Sequence, residues 1–455
     1  MRLKLLPVLL LLAAAPFAGH CEDLMDAYRQ AVANDPVLAN ADAQRLLVAE
    51  GVPVARAALL PQLSAGLEVD QIHSGCSQAD GGSGCTQTDS NGNIVSTGGG
   101  GHTRDRNLTG NLSQPILDFS AIDDLRAAHA ADDAQEQTYQ AALQNLYVRV
   151  ASAYFGVLQA QDMLAIDRDY EGAYKTEFEQ TSARFKNGLS MAADVNQTKA
   201  LYLYYKGVRI NAEDSLKDAR RALQQITGQP TGELKKLRDD MPMQAPQPDS
   251  EQAWVDAAMQ TNPVVLAARY TVSSDEHKVS AARAGHLPML TAGVGYNKFG
   301  QWSNAMPGTA AYGPATTTVG LTLTIPLFSG GLVHAQVKQA LYQRDADLDT
   351  LESQRRQAAR DAANYFNLVK DGIEQVNSAR ESVDAAQKSL ASMRAGYAIG
   401  TQSMTNVVFA IEYVANSQFQ YVADRYQFVL DKLLLKQAAG TIDVHDLQAV
   451  NALLQ

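Results

Sequence analysis

The sequence predicts a mainly α-helical protein that also carries membrane-crossing β-strands, built from one unit used twice. Three observations lead there. A segment of the first half recurs in the second, ten-residue stretches alternate apolar and polar residues, and two long stretches contain no proline.

The recurrence is explicit. Residues 55–66 match residues 282–293 at 8 of 12 positions, and Asn34-Asp35-Pro36 falls in register with Thr261-Asn262-Pro263. Pro115 aligns with Pro326, Tyr154-Phe155 with Tyr365-Phe366, Gly188 with Gly400 and Gly228 with Gly440. A chain with such self-similarity is a duplicated unit. The expected organisation is a leader at 1–21, a first repeat at 22–228, a proline-rich linker at 229–250 and a second repeat at 251–455. Four prolines in the linker exclude a single regular element.

The leader has Arg2 and Lys4 ahead of an apolar run over 5–15, which reads as a secretory signal peptide too short to span a membrane. Its removal takes the formal charge from −11 to −13 by loss of those two bases. An acidic chain with scattered Lys and Arg gives no nucleic-acid footprint. Cys21 stands at the expected cleavage point behind His20, which is not the small residue a lipid-modification site wants, so cleavage after Cys21 without a lipid anchor is expected. Cys76 and Cys85 are then an even pair in an oxidising compartment, where a disulfide is the default.

Strands are expected near 62–72, 106–117, 289–299 and 316–328. Leu63, Ala65, Leu67 and Val69 oppose Ser64, Gly66, Glu68 and Asp70, and Val319, Leu321, Leu323 and Ile325 oppose Thr318, Gly320, Thr322 and Thr324. Leu290, Ala292, Val294 and Tyr296 alternate in the same way, whereas 107–116 does so less cleanly. About ten residues suit a tilted strand crossing an outer membrane. An ordinary half-buried sheet would also alternate. Few strands per chain cannot close a barrel, because small closed barrels have ~8 or more, and an open edge in lipid is forbidden. Several copies must share one barrel; two would give about eight strands and three about twelve.

Helices are expected at 120–186, 190–227, 330–397 and 403–438, with shorter ones at 36–59 and 263–286. Ser120 is the expected cap of the first, and Pro53 should kink the 36–59 segment. A helix over 120–186 would reach ~100 Å at ~1.5 Å per residue, more than a globular domain needs. Leu143, Tyr147, Val150, Tyr154 and Leu158 form a narrow stripe for packing helix on helix.

No catalytic constellation assembles. The eight histidines lack metal-ligand spacing, no HExxH, GxSxG or P-loop occurs, and the glycine run 98–101 has no following Lys. An enzyme, a bound cofactor and a metal centre are therefore not expected. A surface-anchored coiled-coil protein, structural or adhesive and without a conducting pore, is the competing function class. The Thr- and Gly-rich strand face speaks against it, since a plugged barrel would carry bulky residues there.

Across the whole mature chain the sequence resembles the TolC family of outer-membrane export channels. The resemblance rests on Glu22-Asp23-Leu24-Met25, Leu60-Pro61-Gln62-Leu63, His286-Leu287-Pro288 and Ala153-Tyr154-Phe155. It rests equally on Arg184-Phe185-Lys186-Asn187-Gly188-Leu189, Gln225-Ile226-Thr227-Gly228 and Gly396-Tyr397-Ala398-Ile399-Gly400-Thr401. It implies a homotrimer in outer-membrane lipid with a shared twelve-stranded barrel, a periplasmic α-barrel and a small mixed equatorial belt. It further implies docking of a periplasmic adaptor protein and an inner-membrane transporter for efflux of small molecules or type I protein secretion. Adaptor contacts would fall on the turns Asn187, Gly188, Leu189 and Ile399, Gly400, Thr401. The periplasmic gate would fall on Asp194, Tyr397 and Gln402, where Gln402 stands in place of the family's basic partner. The acidic ring of the family's mouth would fall on Asn406 and Phe409, so that ring is missing.

Overall fold

The structure is a computed structural model that describes residues 21–74, 86–88, 91–92, 94–96, 101–303 and 310–455. The leader, Cys76 and Cys85 lie outside the described residues; Cys21 is an exposed free thiol. Ten helices and seven strands occur among those described. In chain order they are α1 (Leu24–Asn34), α2 (Pro36–Ala49), α3 (Gly51–Ala57), β1 (Gln62–Ser74), β2 (Thr86–Thr88), β3 (Ile94–Ser96) and β4 (Gly101–Leu117). The long hairpin α4 (Phe119–Lys186) and α5 (Ala192–Thr227) follows. Then come α6 (Glu251–Thr261), α7 (Pro263–Ala284), β5 (Met289–Ser303), β6 (Ala310–Tyr312), β7 (Thr316–Thr324), the second hairpin α8 (Leu332–Ala398) and α9 (Met404–Ala438), and α10 (Val444–Asn451). None of the described helices is long and apolar enough to cross a membrane.

Two compact units divide the chain. One holds the sheet with residues 46–134 and 269–349; the other holds residues up to 45, 135–268 and 350–455.

In the first unit β1, β4, β5 and β7 pair antiparallel in that order, and β6 continues the β7 side of β5. Leu63, Leu112, Val294 and Val319 form one row across all four strands. Their exposures are 79%, 37%, 37% and 75%, so the row that a soluble sheet would bury is open. Lipid is the solvent in which an open apolar row is stable. The outer edges of β1 and β7 have no strand partner among the described residues. β7 stops at Thr324, short of the expected 328, because Pro326 has no N–H to offer a ladder.

Local chemistry corrects two expectations. α4 is capped by Asp118, whose carboxylate accepts from the Ala121 N–H at 3.0 Å, while the Ser120 hydroxyl donates to the Ala281 carbonyl at 3.2 Å. The segment 36–59 is two helices, α2 and α3, with Glu50 between them. Pro53 lies in the first turn of α3, where its missing N–H is harmless, and it leaves the Ala49 carbonyl, the last of α2, without a helical donor.

In the second unit Tyr147, Val150, Tyr154 and Leu158 of the predicted stripe are buried and Leu143 is partly buried, and the core also takes in Leu146 and Phe155 from beside the stripe. Tyr154 donates its hydroxyl toward the carbonyls of Glu22 and Lys235 at 3.1 and 3.0 Å, and burial pushes its phenol up. The linker forms no helix; bridges Glu22 to Leu234 and Leu237 to Leu454 tie it to the segments before α1 and after α10. The duplication is visible in atomic detail. Gly228 and Gly440, both with φ near +70°, end α5 and α9. The Asn34 amide donates to the Thr227 carbonyl at 2.9 Å, and Thr261, in register with Asn34, donates its hydroxyl to the equivalent Ala439 carbonyl at 2.6 Å.

Asp35 begins α2 by accepting the Leu38 N–H at 2.8 Å and is held by Arg149 at 2.6 Å. Burial would push this carboxyl up, but the Arg149 guanidinium and the Leu38 N–H outweigh burial and hold it below its ordinary value. A depressed carboxylate contributes stability above its unfolded pKa, and that stability is lost as pH falls through the folded one. Arg149→Met should therefore cost ~3 kcal/mol at neutral pH by stranding a buried charge. The gap from the unsubstituted protein should narrow below about pH 4, where Asp35 takes up a proton. Denaturant melts at pH 7 and pH 3.5 check this, and a pH-independent difference would contradict it.

Candidate functional site

The sites expected at the two helix breaks all belong to the second unit. α4 ends in a turn in which the Gly188 N–H donates to the Phe185 carbonyl at 2.9 Å and the Leu189 N–H to the Arg184 carbonyl at 2.8 Å. Gly188 adopts φ +72° and Gly400, which ends α8, φ +80°. Glycine takes this left-handed conformation without a Cβ penalty. At the second turn the Thr401 N–H and hydroxyl both donate to the Gly396 carbonyl, at 2.9 and 3.1 Å. Leu189 and Ile399 are 70% and 77% exposed. Two tight turns thus each present an exposed aliphatic side chain.

Asp194 sits in the first turn of α5, accepting the Ser190 hydroxyl at 3.0 Å and the Met191 N–H at 3.4 Å. Tyr397 lies under the Arg184 guanidinium, 4.8 Å from its ring centroid. Gln402 folds over Gly396, where a Cβ would stand 2.6 Å from its Cγ, and accepts the Asn406 amide at 2.8 Å. Asn406 and Phe409 are exposed on the first turns of α9, and Tyr413 continues their side of the helix. Within one chain, then, Asp194, Tyr397 and Gln402 each have a separate partner, and the structure does not join them to one another.

Sequence reasoning missed what stiffens this end. Glu177 of α4 pairs with Arg394 of α8 at 3.1 Å, and Tyr174 stacks on Tyr205 at 4.6 Å between centroids. The Tyr170 hydroxyl donates to Gln418 at 2.8 Å. Burial pushes the phenols of Tyr170 and Tyr174 up, so both stay neutral hydrogen-bonding groups. Arg184 is the more consequential omission, because it brings a positive charge against Tyr397, near Gln402, where the family resemblance would place a basic residue. No local pattern marks these residues, since each contact spans two helices. Among the described residues no group of three or more His, Cys, Asp or Glu could hold a metal ion.

The outer membrane efflux protein family matches residues 27–229 and 254–441, one block in each repeat. The chain is 32% identical to the outer membrane protein TolC of Escherichia coli K12, over 98% of this chain and 88% of that one. It is 27% identical to the alkaline protease secretion protein AprF of Pseudomonas aeruginosa, over 94% and 86% of the two chains. The solved structure of CusC superposes with a TM-score of 0.76 at 18% identity, covering 92% of each chain, which shows the shared fold of β-barrel and α-barrel. The competing adhesive reading finds no support among these relatives, and the family is one of transport channels rather than enzymes. The chain belongs to the outer membrane efflux protein family, and it is an outer-membrane channel with a long periplasmic helical tunnel, an exit duct for efflux or secretion.

Proposed function

We propose that three copies of the chain assemble into the working duct. The open sheet carries the reading: four main strands with an exposed apolar row and two outer edges unpaired among the described residues must be closed by further strands before the sheet can enter lipid. Three copies would supply about twelve strands, within the range of known outer-membrane barrels. The repeats 22–228 and 251–455, joined through 229–250, would then contribute equivalent hairpins to one tunnel wall.

At the periplasmic end, Asp194, Tyr397 and Gln402 would form the gate between neighbouring hairpins, with Asn406 and Phe409 at the mouth. The turns Asn187-Gly188-Leu189 and Ile399-Gly400-Thr401 would seat a periplasmic adaptor, which in turn couples the duct to an inner-membrane transporter. Their exposed Leu189 and Ile399 support this reading. Cargo would be small molecules, a secreted protein or both, with selection residing in the transporter. Detergent-corrected light scattering should give three chains per particle, and planar bilayers should show discrete conductance steps. A stable monomer, or bilayers that stay silent, would refute the assembly.

A further inference from the structure

A cavity of about 350 Å³ opens between α4 and α5 and is closed at one side by Phe419 of α9. Gly156, Met163 and Asp167 of α4 and Val208 and Asn211 of α5 line it. Asp167 is 4% exposed, and its buried Oδ1 has no hydrogen-bond partner. A buried carboxylate oxygen without a partner is costly, which makes it a group awaiting a donor. The nearby guanidiniums cannot serve it. Arg168 is taken by Glu213 at 3.1 Å, and Arg209 by Glu171 at 2.5 Å and Glu213 at 2.7 Å. Burial accordingly pushes the Asp167 carboxyl up.

A second observation concerns the space itself. Gly156 stands in mid-helix, where glycine costs ~1 kcal/mol relative to alanine. A Cβ there would meet nothing within 4 Å, so close packing does not explain the residue. What its lack of a side chain does is leave the cavity open. Met163, Val208 and Phe419 give the cavity an apolar wall around a single carboxylate, with the neutral side chains of Gln159, Asn211 and Ser215 beside it. One carboxylate does not make a site for a divalent metal, which takes several oxygen ligands. Charge and apolar wall together fit an organic monocation.

We propose that this cavity binds a protonated primary amine carrying a short alkyl chain, with its ammonium on Asp167 and its chain along Met163, Val208 and Phe419. The ammonium would donate to Oδ1 as a charge-assisted hydrogen bond, and the Phe419 ring would add a cation–π or apolar contact. All of its lining residues come from one chain.

Isothermal titration of hexylammonium chloride into the detergent-solubilised protein, against a matched titration into detergent alone, tests it. Saturable binding of one hexylammonium per chain is expected, and hexan-1-ol, with the same chain and no charge, should not bind. Asp167→Asn should weaken hexylammonium at least tenfold, and Gly156→Leu, which fills the cavity and keeps the carboxylate, should abolish the saturable heat. Absence of saturable binding to the unsubstituted protein, equal binding of the alcohol, or equal affinity in correctly assembled Asp167→Asn and Gly156→Leu proteins would overturn the proposal.

Discussion

Gly440→Ala is expected to be the most destabilising single substitution at either helix end, costing ~3 kcal/mol or more. Two effects add. At φ +72° an alanine occupies the left-handed region, at a cost of roughly 1 kcal/mol. Its Cβ would also stand 2.4 Å from the Thr261 carbonyl oxygen, 2.7 Å from that carbonyl carbon and 2.6 Å from the Asn262 Cα. All three are backbone atoms at the junction of α6 and α7, and the Thr261 hydroxyl and Asn262 amide already clamp that backbone to the carbonyls of Ala439 and Ala438 at 2.6 and 2.9 Å. Nothing there can rotate aside. The equivalent Gly228→Ala meets the Asn34 side chain instead, at 2.9 Å from Cβ and 3.3 Å from Cγ. Rotation cannot move the Asn34 Cβ, but an overlap at 2.9 Å is milder than one at 2.4 Å, so the cost should be smaller, about 1 to 2 kcal/mol. Denaturant melts of the two variants followed by circular dichroism read the difference. Equal and small losses would show that the two repeat junctions are not packed as described.

The ends of α4 and α8 were legible because Asn187-Gly188 and Gly400 are chemically marked: a helix that stops in the left-handed region needs glycine, and glycine is rare inside helices. Strand periodicity was legible for a related reason. Side chains of β5 and β7 alternate between two environments, and the choice of Leu, Val and Thr records both. Alternation alone did not say whether the apolar face meets protein or lipid; the exposure of Leu63 and Val319 decides that, and it depends on which elements cover the sheet. Ser120 misled because Asp118, two residues earlier, can reach the same helix end, and only the observed bond to Ala121 distinguishes them. The ion pair of Glu177 with Arg394, the stacking of Arg184 on Tyr397 and the cavity under Asp167 join residues far apart in sequence. No short pattern encodes them, because their spacing is set by how separate helices align.

Block of the open channel by a trivalent cation added at the periplasmic mouth should be shallow. The family resemblance puts an acidic ring where this chain has Asn406 and Phe409, and both side chains are exposed, Phe409 at 61%. The Asn406 amide is engaged by Gln402, a neutral pair that focuses little potential. Arg184, held on Tyr397 near the same helix ends, works against cation binding. Asp194 is the nearby acid, and it already accepts from Ser190 and Met191. Replacing Asn406 and Phe409 by aspartate would add two carboxylates per chain, about six in a three-copy duct, around a narrow opening. Like charges ringed in a confined aqueous mouth bind a trivalent ion far better than any one of them does, so the half-blocking concentration should fall by roughly tenfold or more. Asn406→Asp alone should give a smaller fall, and raising the salt should erase much of the gain by screening. Planar-bilayer recordings with the cation added from each side in turn provide the measurement. Tight block of the unsubstituted channel, or no change in the double variant, would place these two positions away from the conducting mouth.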